Sequence, residues 1–269
     1  MAAGGESHPV RLALLGMPVE HSRSPQIHRA ALAACGLSGE YEARAVDAAG
    51  FAAACAELRA GRLDGANVTM PHKRAAHDAC AVLDAEARRA GAVNTLAPAE
   101  GGLAGWCTDV TAVRSALEEM PPGAVLVLGA GGAAAASLVA AAGRPLLLAA
   151  RRAAAARDLV ERLGVAATVV PWGGVVPGAV LVNATPLGRG GEALPAGLVA
   201  AAGGLIDLAY GAVPTPAVMA ARGAGIPTVD GLTILVDQAA AAFQIWTGRE
   251  APRAVMEAAA RYGESLKEA

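Results

Sequence analysis

Apolar runs that stop at glycine or proline alternate along this chain with alanine-rich stretches whose apolar positions recur at helical spacing. Residues 11–16 read as a buried strand ending at Gly16. Ser24 followed by Pro25 has the form of a helix N-cap and first helical position, with the helix running to Cys35-Gly36. Residues 41–46 alternate like a half-buried strand, and residues 51–59 carry a helical pattern. A strand over 65–69 breaks at Pro71, which is placed to open an alanine-rich helix that finishes over 87–90. Residues 91–95 are expected as another strand, and Gly101-Gly102 as a hairpin turn before 103–106.

The second half is more regular. Thr108-Asp109 stands before a helical run over 110–120, where either side chain suits a cap. The apolar strand Val125-Leu126-Val127-Leu128 then runs into Gly129-Ala130-Gly131-Gly132-Ala133 and a small-residue helix over 133–142. A glycine run between a strand and a helix start lets backbone N–H groups approach a pyrophosphate, with positive potential from the helix end. The next strand, 145–150, ends at Arg151-Arg152. NAD sites usually place a carboxylate there for the ribose hydroxyls. Arginine suits a 2′-phosphate, so NADP is favoured over NAD. Strands over 167–172, 179–185 and 204–210 continue the alternation, followed by Pro214-Thr215-Pro216 and a helix. Five or six parallel strands with helices on both faces make a doubly wound sheet that binds ligands at the strands' C-terminal ends. Asn183, Thr185 and Tyr210 stand at such ends, and each could equally cap a turn. Gly231 closes the nucleotide unit, 233–246 reads as a long helix, and 252–262 as the last. Gln238 falls on the apolar side of that long helix, where a buried amide needs partners.

Composition narrows the function classes. The chain has 269 residues, enough for one large domain or two moderate ones, and the first hundred or so residues suggest an α/β layer with a mixed sheet. Hydrophobic residues make up 54%, yet no run is long and uncharged enough for a membrane helix. The start lacks a basic segment followed by an apolar one, so no secretory signal is expected. A net charge of −2, no basic stripe and 3% aromatics argue against a nucleic-acid surface. Cys35, Cys55, Cys80 and Cys107 lie far apart, as reduced thiols of a cytoplasmic protein would. His72 and His77 would sit on different helix faces, and no metal is expected.

Two features stand apart from packing. Lys73 falls in a helix's first turn, where the macrodipole disfavours a cation and stability alone would choose Asp or Glu. It is either a solvated surface lysine or an acid–base group. Ser22 and Ser24 put two hydroxyls beside a helix start, which suits a carboxylate, although a cap alone would explain Ser24.

In order and spacing, several motifs together resemble the shikimate dehydrogenase family over nearly the whole chain. They are His21-Ser22-Arg23-Ser24-Pro25, Asn67-Val68-Thr69-Met70-Pro71-His72-Lys73, Val93-Asn94-Thr95, Thr108-Asp109 and the Gly129–Ala133 turn. Asn183-Ala184-Thr185-Pro186, Asp207 with Tyr210, and Gly231 with Gln238 add to them. The resemblance implies a two-domain α/β fold: residues 1–105 with 236–269 for the substrate, and a Rossmann-type NADP domain over 106–235 inserted between those segments. It implies reversible reduction of 3-dehydroshikimate to shikimate with NADPH, on the route to aromatic amino acids.

By the same resemblance Lys73 and Asp109 are the catalytic pair, Ser22, Ser24 and Tyr210 hold the carboxylate, and Asn67, Thr69, Asn94, Asp109 and Gln238 bind ring hydroxyls. Gly129, Ala130, Gly131, Gly132, Ala133, Arg151, Arg152, Asn183, Thr185 and Gly231 surround the cofactor. The protein is expected to act on this small molecule as a monomer or homodimer, without nucleic acid or membrane. Departures from the family pattern are Arg29 and Cys107 for the usual asparagines, Ala150-Arg151-Arg152 for Asn-Arg-Thr, Ala212 for Pro and Ile234 for Met. Quinate-preferring relatives often carry threonine at one of the paired serines, so the two serines here favour shikimate. A non-catalytic NADP-binding homologue would be signalled by loss of Lys73 or Asp109, and both are present.

Overall fold

The computed structural model describes residues 8–263; residues 1–7, on which the reading of the chain's start rests, lie outside them. The chain opens with β1 (Val10–Gly16), α1 (Ser24–Ala34), β2 (Gly39–Ala45), α2 (Ala48–Arg59) and β3 (Gly65–Val68). It continues through α3 (Lys73–Ala79), β4 (Val82–Leu83), α4 (Ala85–Ala90) and the hairpin β5 (Thr95–Ala99) and β6 (Gly102–Trp106). Next come α5 (Thr108–Glu118), β7 (Val125–Leu128), α6 (Gly132–Ala140), β8 (Leu146–Ala149), α7 (Ala153–Leu163) and β9 (Ala167–Val169). Then follow β10 (Val180–Asn183), α8 (Leu198–Ala201), β11 (Gly204–Asp207), α9 (Pro216–Gly223) and β12 (Thr228–Val229). The helices α10 (Gly231–Thr247) and α11 (Arg253–Tyr262) end the described chain.

Contacts divide these elements into two units. One holds the chain through Asp84, Val93–Trp106 and the part from Ala239 on; the other holds Ala85–Ala92 and Cys107–Gln238.

In the first unit the sheet order is β2-β1-β3-β5-β6-β4. All neighbours are parallel except those of β5, which runs antiparallel to both β3 and β6. Central β1 has neighbours on both edges, and Leu12, Ala13 and Leu15 are completely buried, as a continuous apolar run requires. Asp47 starts α2 by accepting from the Gly50 N–H at 2.8 Å. The last helix belongs here: Gln26 of α1 donates to the Ala259 carbonyl of α11 at 3.2 Å, and Arg23 donates to that of Ala260.

The second unit is a six-stranded, wholly parallel sheet in the order β12-β11-β10-β7-β8-β9. Strand order reverses between β7 and β10, which marks the topological switch point of a doubly wound fold. Residues 134–140 of α6 are all buried: all but Ser137 are alanine, leucine or valine, and the Ser137 hydroxyl donates back to Ala133 O at 2.8 Å, so the helix presents no polar face. α6 packs against α4 and α5. Another part of the core joins Leu128, Leu181, Leu205 and Val218 beneath α8 and α9.

Several sequence expectations shift. Pro71 does not open a helix. The Met70-Pro71 peptide is cis, and Pro71 is the third residue of a turn closed by His72 N–H to Thr69 O at 3.0 Å. The helix therefore begins at Lys73. The single helix expected through Ala90 is interrupted, because extended Cys80 feeds β4 into a parallel pairing with β6. A two-residue strand is too short for alternation to show. The strand expected over 91–95 starts only at Thr95; Val93 N–H instead donates to Lys73 O and Asn94 N–H to Trp106 O. α1 begins at Ser24 itself, with Arg23 as N-cap and Pro25 second in the helix. α5 begins at Thr108, and its N-cap Cys107 makes no side-chain cap bond, so Thr108 and Asp109 lie inside the helix.

Candidate functional site

In the first unit the residues around Lys73 are built on close backbone approach. A Cβ on Gly16 would come within 2.2 Å of Thr69 Cγ2 and 2.9 Å of Met70 O, so only glycine lets the end of β1 lie under this turn. Met17 N–H donates to Met70 O and Thr69 N–H to Leu15 O, both at 2.9 Å. Buried His72 stacks on Phe51 with ring centroids 4.9 Å apart and places Nε2 2.8 Å from Val46 O. Lys73 follows at once as the first residue of α3, half-buried, with its carbonyl accepting from Val93 N–H at 2.9 Å. The lysine's backbone is thus fixed on both sides.

Ser22 and Ser24 are brought together. Their hydroxyls lie 3.2 Å apart, and the Ser24 N–H donates to Ser22 Oγ at 3.2 Å. The serine left unexplained by capping is therefore the one that receives the backbone N–H.

Asn67 and Asn94 also meet. Asn67 Nδ2 donates to Asn94 O at 3.1 Å and to Thr95 Oγ1 at 3.2 Å, while Tyr41 Oη donates to Asn67 Oδ1 at 2.8 Å. These bonds fix which end of the amide points where. Thr69 sits half-buried just past the strand end. Tyr41 and Thr95 were missed from sequence. Their signal was available only as cross-strand register, which pairs Asn67 with Thr95.

Behind this network lies His28, completely buried and stacked on Tyr41 at 4.5 Å between centroids. Neither ring nitrogen has a hydrogen-bond partner. Burial pushes its pKa down to about 3, offset only in part by the Asn67 side chain. The folded protein therefore holds a neutral imidazole that the unfolded chain would protonate below about pH 6.5. Stability should fall as pH drops from about 6.5 toward about 3, by up to about 1.4 kcal/mol per pH unit from this group. Urea unfolding at a series of pH values should show a flatter acid limb for His28→Phe than for the native chain; parallel limbs would exclude this group.

In the second unit the glycine turn fits a dinucleotide. Gly129 has φ +116°, and a Cβ there would lie 2.8 Å from Ala184 O, so neighbouring loops close on a backbone-only surface. No side chain caps α6, a Cβ on Gly131 would meet nothing within 4 Å, and Gly131 is exposed. The N–H groups of the first turn of α6, those of Gly132 and Ala133 among them, have no acceptor within the helix and suit an anion, with Ala130 just before the N-cap. Arg151 and Arg152 are exposed just past β8, with Arg152 the N-cap of α7.

At the ends of β10 and β11 the side chains are mostly occupied with one another. Asn183 is completely buried: Nδ2 donates to Asp207 Oδ1 at 2.8 Å and to Leu187 O at 3.0 Å. Its Oδ1 accepts from Thr185 N at 3.1 Å and Thr185 Oγ1 at 2.6 Å. Asn183, expected at the cofactor, has its side-chain amide taken up in holding the Thr185 turn. Asp207, also completely buried, accepts from Ala209 N at 3.0 Å and Thr215 Oγ1 at 2.5 Å. Burial pushes its pKa up despite these donors. β11 ends as the chain turns over this carboxylate, leaving Tyr210 three residues beyond the strand, half-buried.

Gly231 opens α10, where a Cβ would lie 2.3 Å from Ala209 O. Its place, expected at the cofactor, is explained by this close packing. Buried Gln238 donates to Leu235 O at 2.9 Å. Asp109 sits half-buried in the first turn of α5, where the helix field favours a carboxylate.

Among the described residues no group of three or more His, Cys, Asp or Glu could hold a metal, and no helix is long and apolar enough to cross a membrane. All four cysteines are free thiols.

Comparison with known proteins gives concordant matches. The family described as the shikimate dehydrogenase substrate binding domain matches residues 14–96, and the shikimate 5'-dehydrogenase C-terminal domain matches residues 231–261. A shikimate dehydrogenase (NADP(+)) of Anaeromyxobacter sp. is 44% identical over 91% of this chain and 94% of its own length. One from Gluconobacter oxydans is 42% identical over 90% of this chain and 92% of its own. Among solved structures, the shikimate 5-dehydrogenase of Thermus thermophilus in complex with NADP(H) and shikimate superposes with a TM-score of 0.84 at 37% identity, covering 94% of this chain and 99% of that one.

Proposed function

The chain belongs to the shikimate dehydrogenase family, and from that premise we propose how its residues divide the work. The protein is an NADP-dependent oxidoreductase that interconverts 3-dehydroshikimate and shikimate, a step toward chorismate and the aromatic amino acids. The observation that carries this is the 44% identity across 91% of the chain to an enzyme of that name, joined to the presence of both Lys73 and Asp109.

The Gly129–Ala133 turn and the start of α6 hold the pyrophosphate, and Arg151, with Arg152 beside it, receives the 2′-phosphate. When bound, NADPH supplies the hydride for the C3 carbonyl. Reduction builds negative charge on that oxygen; the Lys73 ammonium stabilises the charge and donates the proton. Asp109 orients Lys73 and accepts from a ring hydroxyl. Ser22, Ser24 and Tyr210 hold the carboxylate, while Asn67, Thr69, Asn94 and Gln238 read the remaining hydroxyls. The Tyr41–Asn67–Thr95 bonds support this reading: they occupy both amide hydrogens and fix the group so that Oδ1 keeps one acceptor site for a ring hydroxyl. In this reading residues 1–105 with 236–269 form the substrate domain and 106–235 the NADP domain, in a cytoplasmic monomer or homodimer.

Initial rates of nicotinamide reduction with shikimate or quinate, each against NADP and NAD, test the assignment. Shikimate with NADP should give the highest kcat/KM of the four. A preference for quinate would move the protein to its sister activity.

A further inference from the structure

After β10 the chain forms a glycine-rich loop that crosses toward Tyr210, and this loop carries a cation that the family roles above leave unused. The Arg189 guanidinium carbon stands 5.4 Å from the centroid of the Tyr210 ring, over its face. Its backbone is fixed: Arg189 N–H donates to Pro186 O at 3.3 Å, and a Cβ on Gly211 would lie 2.8 Å from Arg189 O. Gly188, at φ +100°, packs where a Cβ would touch Thr215 at 3.0 Å. Nearby Glu192 is not its partner, because that carboxylate accepts the N–H groups of Gly188 at 3.1 Å and Gly190 at 3.0 Å, and its pKa is held down by its own backbone N–H first and by these two with it. Among the described residues, no carboxylate pairs with Arg189.

We infer that Arg189, held over the Tyr210 ring, is a specificity-determining residue that adds a positive charge to the recognition of the substrate's carboxylate. The inference rests on the reading that the Tyr210 hydroxyl binds that carboxylate. A guanidinium held over the ring face is close enough to an anion at the ring's hydroxyl edge to act on it as a charge, at roughly one Debye length, without bonding to it directly, and is already desolvated on one side. It needs no large rearrangement to act. Being exposed, it acts through a screened field, so its contribution is modest and salt-dependent.

Arg189→Met should raise the KM for shikimate about fivefold, with kcat within about twofold of native. The difference should shrink as ionic strength rises from about 0.01 M to about 1 M. Arg189→Lys should recover part of the loss. The inhibition constant of the methyl ester of shikimate, which lacks the charge, should be unchanged by Arg189→Met. An unchanged KM for shikimate, an equal loss for acid and ester, or a loss confined to NADP affinity would each overturn the inference. Tyr210→Phe keeps the ring and the stack but removes the hydroxyl. If it raises KM while Arg189→Met does not, the arginine proposal fails alone. If it leaves KM unchanged, the role given to Tyr210 fails, and Arg189→Met with the ester still decides the arginine's.

Discussion

Replacing Lys73 with alanine lowers kcat by about a thousandfold while the KM for shikimate stays within about fivefold of native. Loss of a positioned proton donor accounts for about a hundredfold to ten-thousandfold by itself. An interaction made chiefly with charge that develops on the carbonyl oxygen reduces turnover more than ground-state binding. The surroundings favour so selective an effect. His72 is pinned to Phe51 and Val46, and the Lys73 carbonyl to Val93, so the backbone stays in place when the amine is removed. Initial-rate kinetics on purified Lys73→Ala check this, with Lys73→Met as the variant that keeps the aliphatic stem. Near-native turnover in either would remove lysine from the chemistry.

Arg151→Ala raises the KM for NADP about thirtyfold or more while changing that for NAD less than about threefold. The contrast follows from the one group that separates the two cofactors, a 2′-phosphate for which a guanidinium gives paired, charge-assisted hydrogen bonds. Arg151 is exposed past the end of β8, so the substitution leaves no buried group without a partner. Equal losses with both cofactors would place the arginine elsewhere, on the shared pyrophosphate. Arg152→Ala provides the comparison and should cost less, since that residue stands where the family pattern has threonine.

The elements legible in the sequence were those with a strong local cause. The strand–glycine–helix run at 125–140 has a continuous apolar strand, a required positive φ at Gly129 and a helix with no polar face, so each level points to the same structure. The pair Ser22 and Ser24 was visible because one serine exceeded what a cap needs. What stayed hidden depends on distant partners. The cis-proline turn before Lys73 needs Gly16, far earlier in the chain, to lie beneath it. β4 is two residues long and exists because β6 pairs with it. Asn183 looked like a ligand contact from its place at a strand end; only the fold shows its amide shared among Asp207, Thr185 and Leu187. Tyr41, which fixes Asn67, and His28, which stacks behind Tyr41, left no local mark in a strand and a helix of ordinary pattern.

The central claim is that a lysine and an aspartate act as one device on one ring alcohol, and a double-mutant cycle tests it most directly. kcat is measured for the native protein, Lys73→Ala, Asp109→Ala and the double variant, with each shown to fold by its unfolding transition. Groups acting on the same step are not additive, so the double variant should be no more than about tenfold slower than the slower single. A double variant slowed by the full product of the two single losses would contradict the account, because the two residues would then contribute independently.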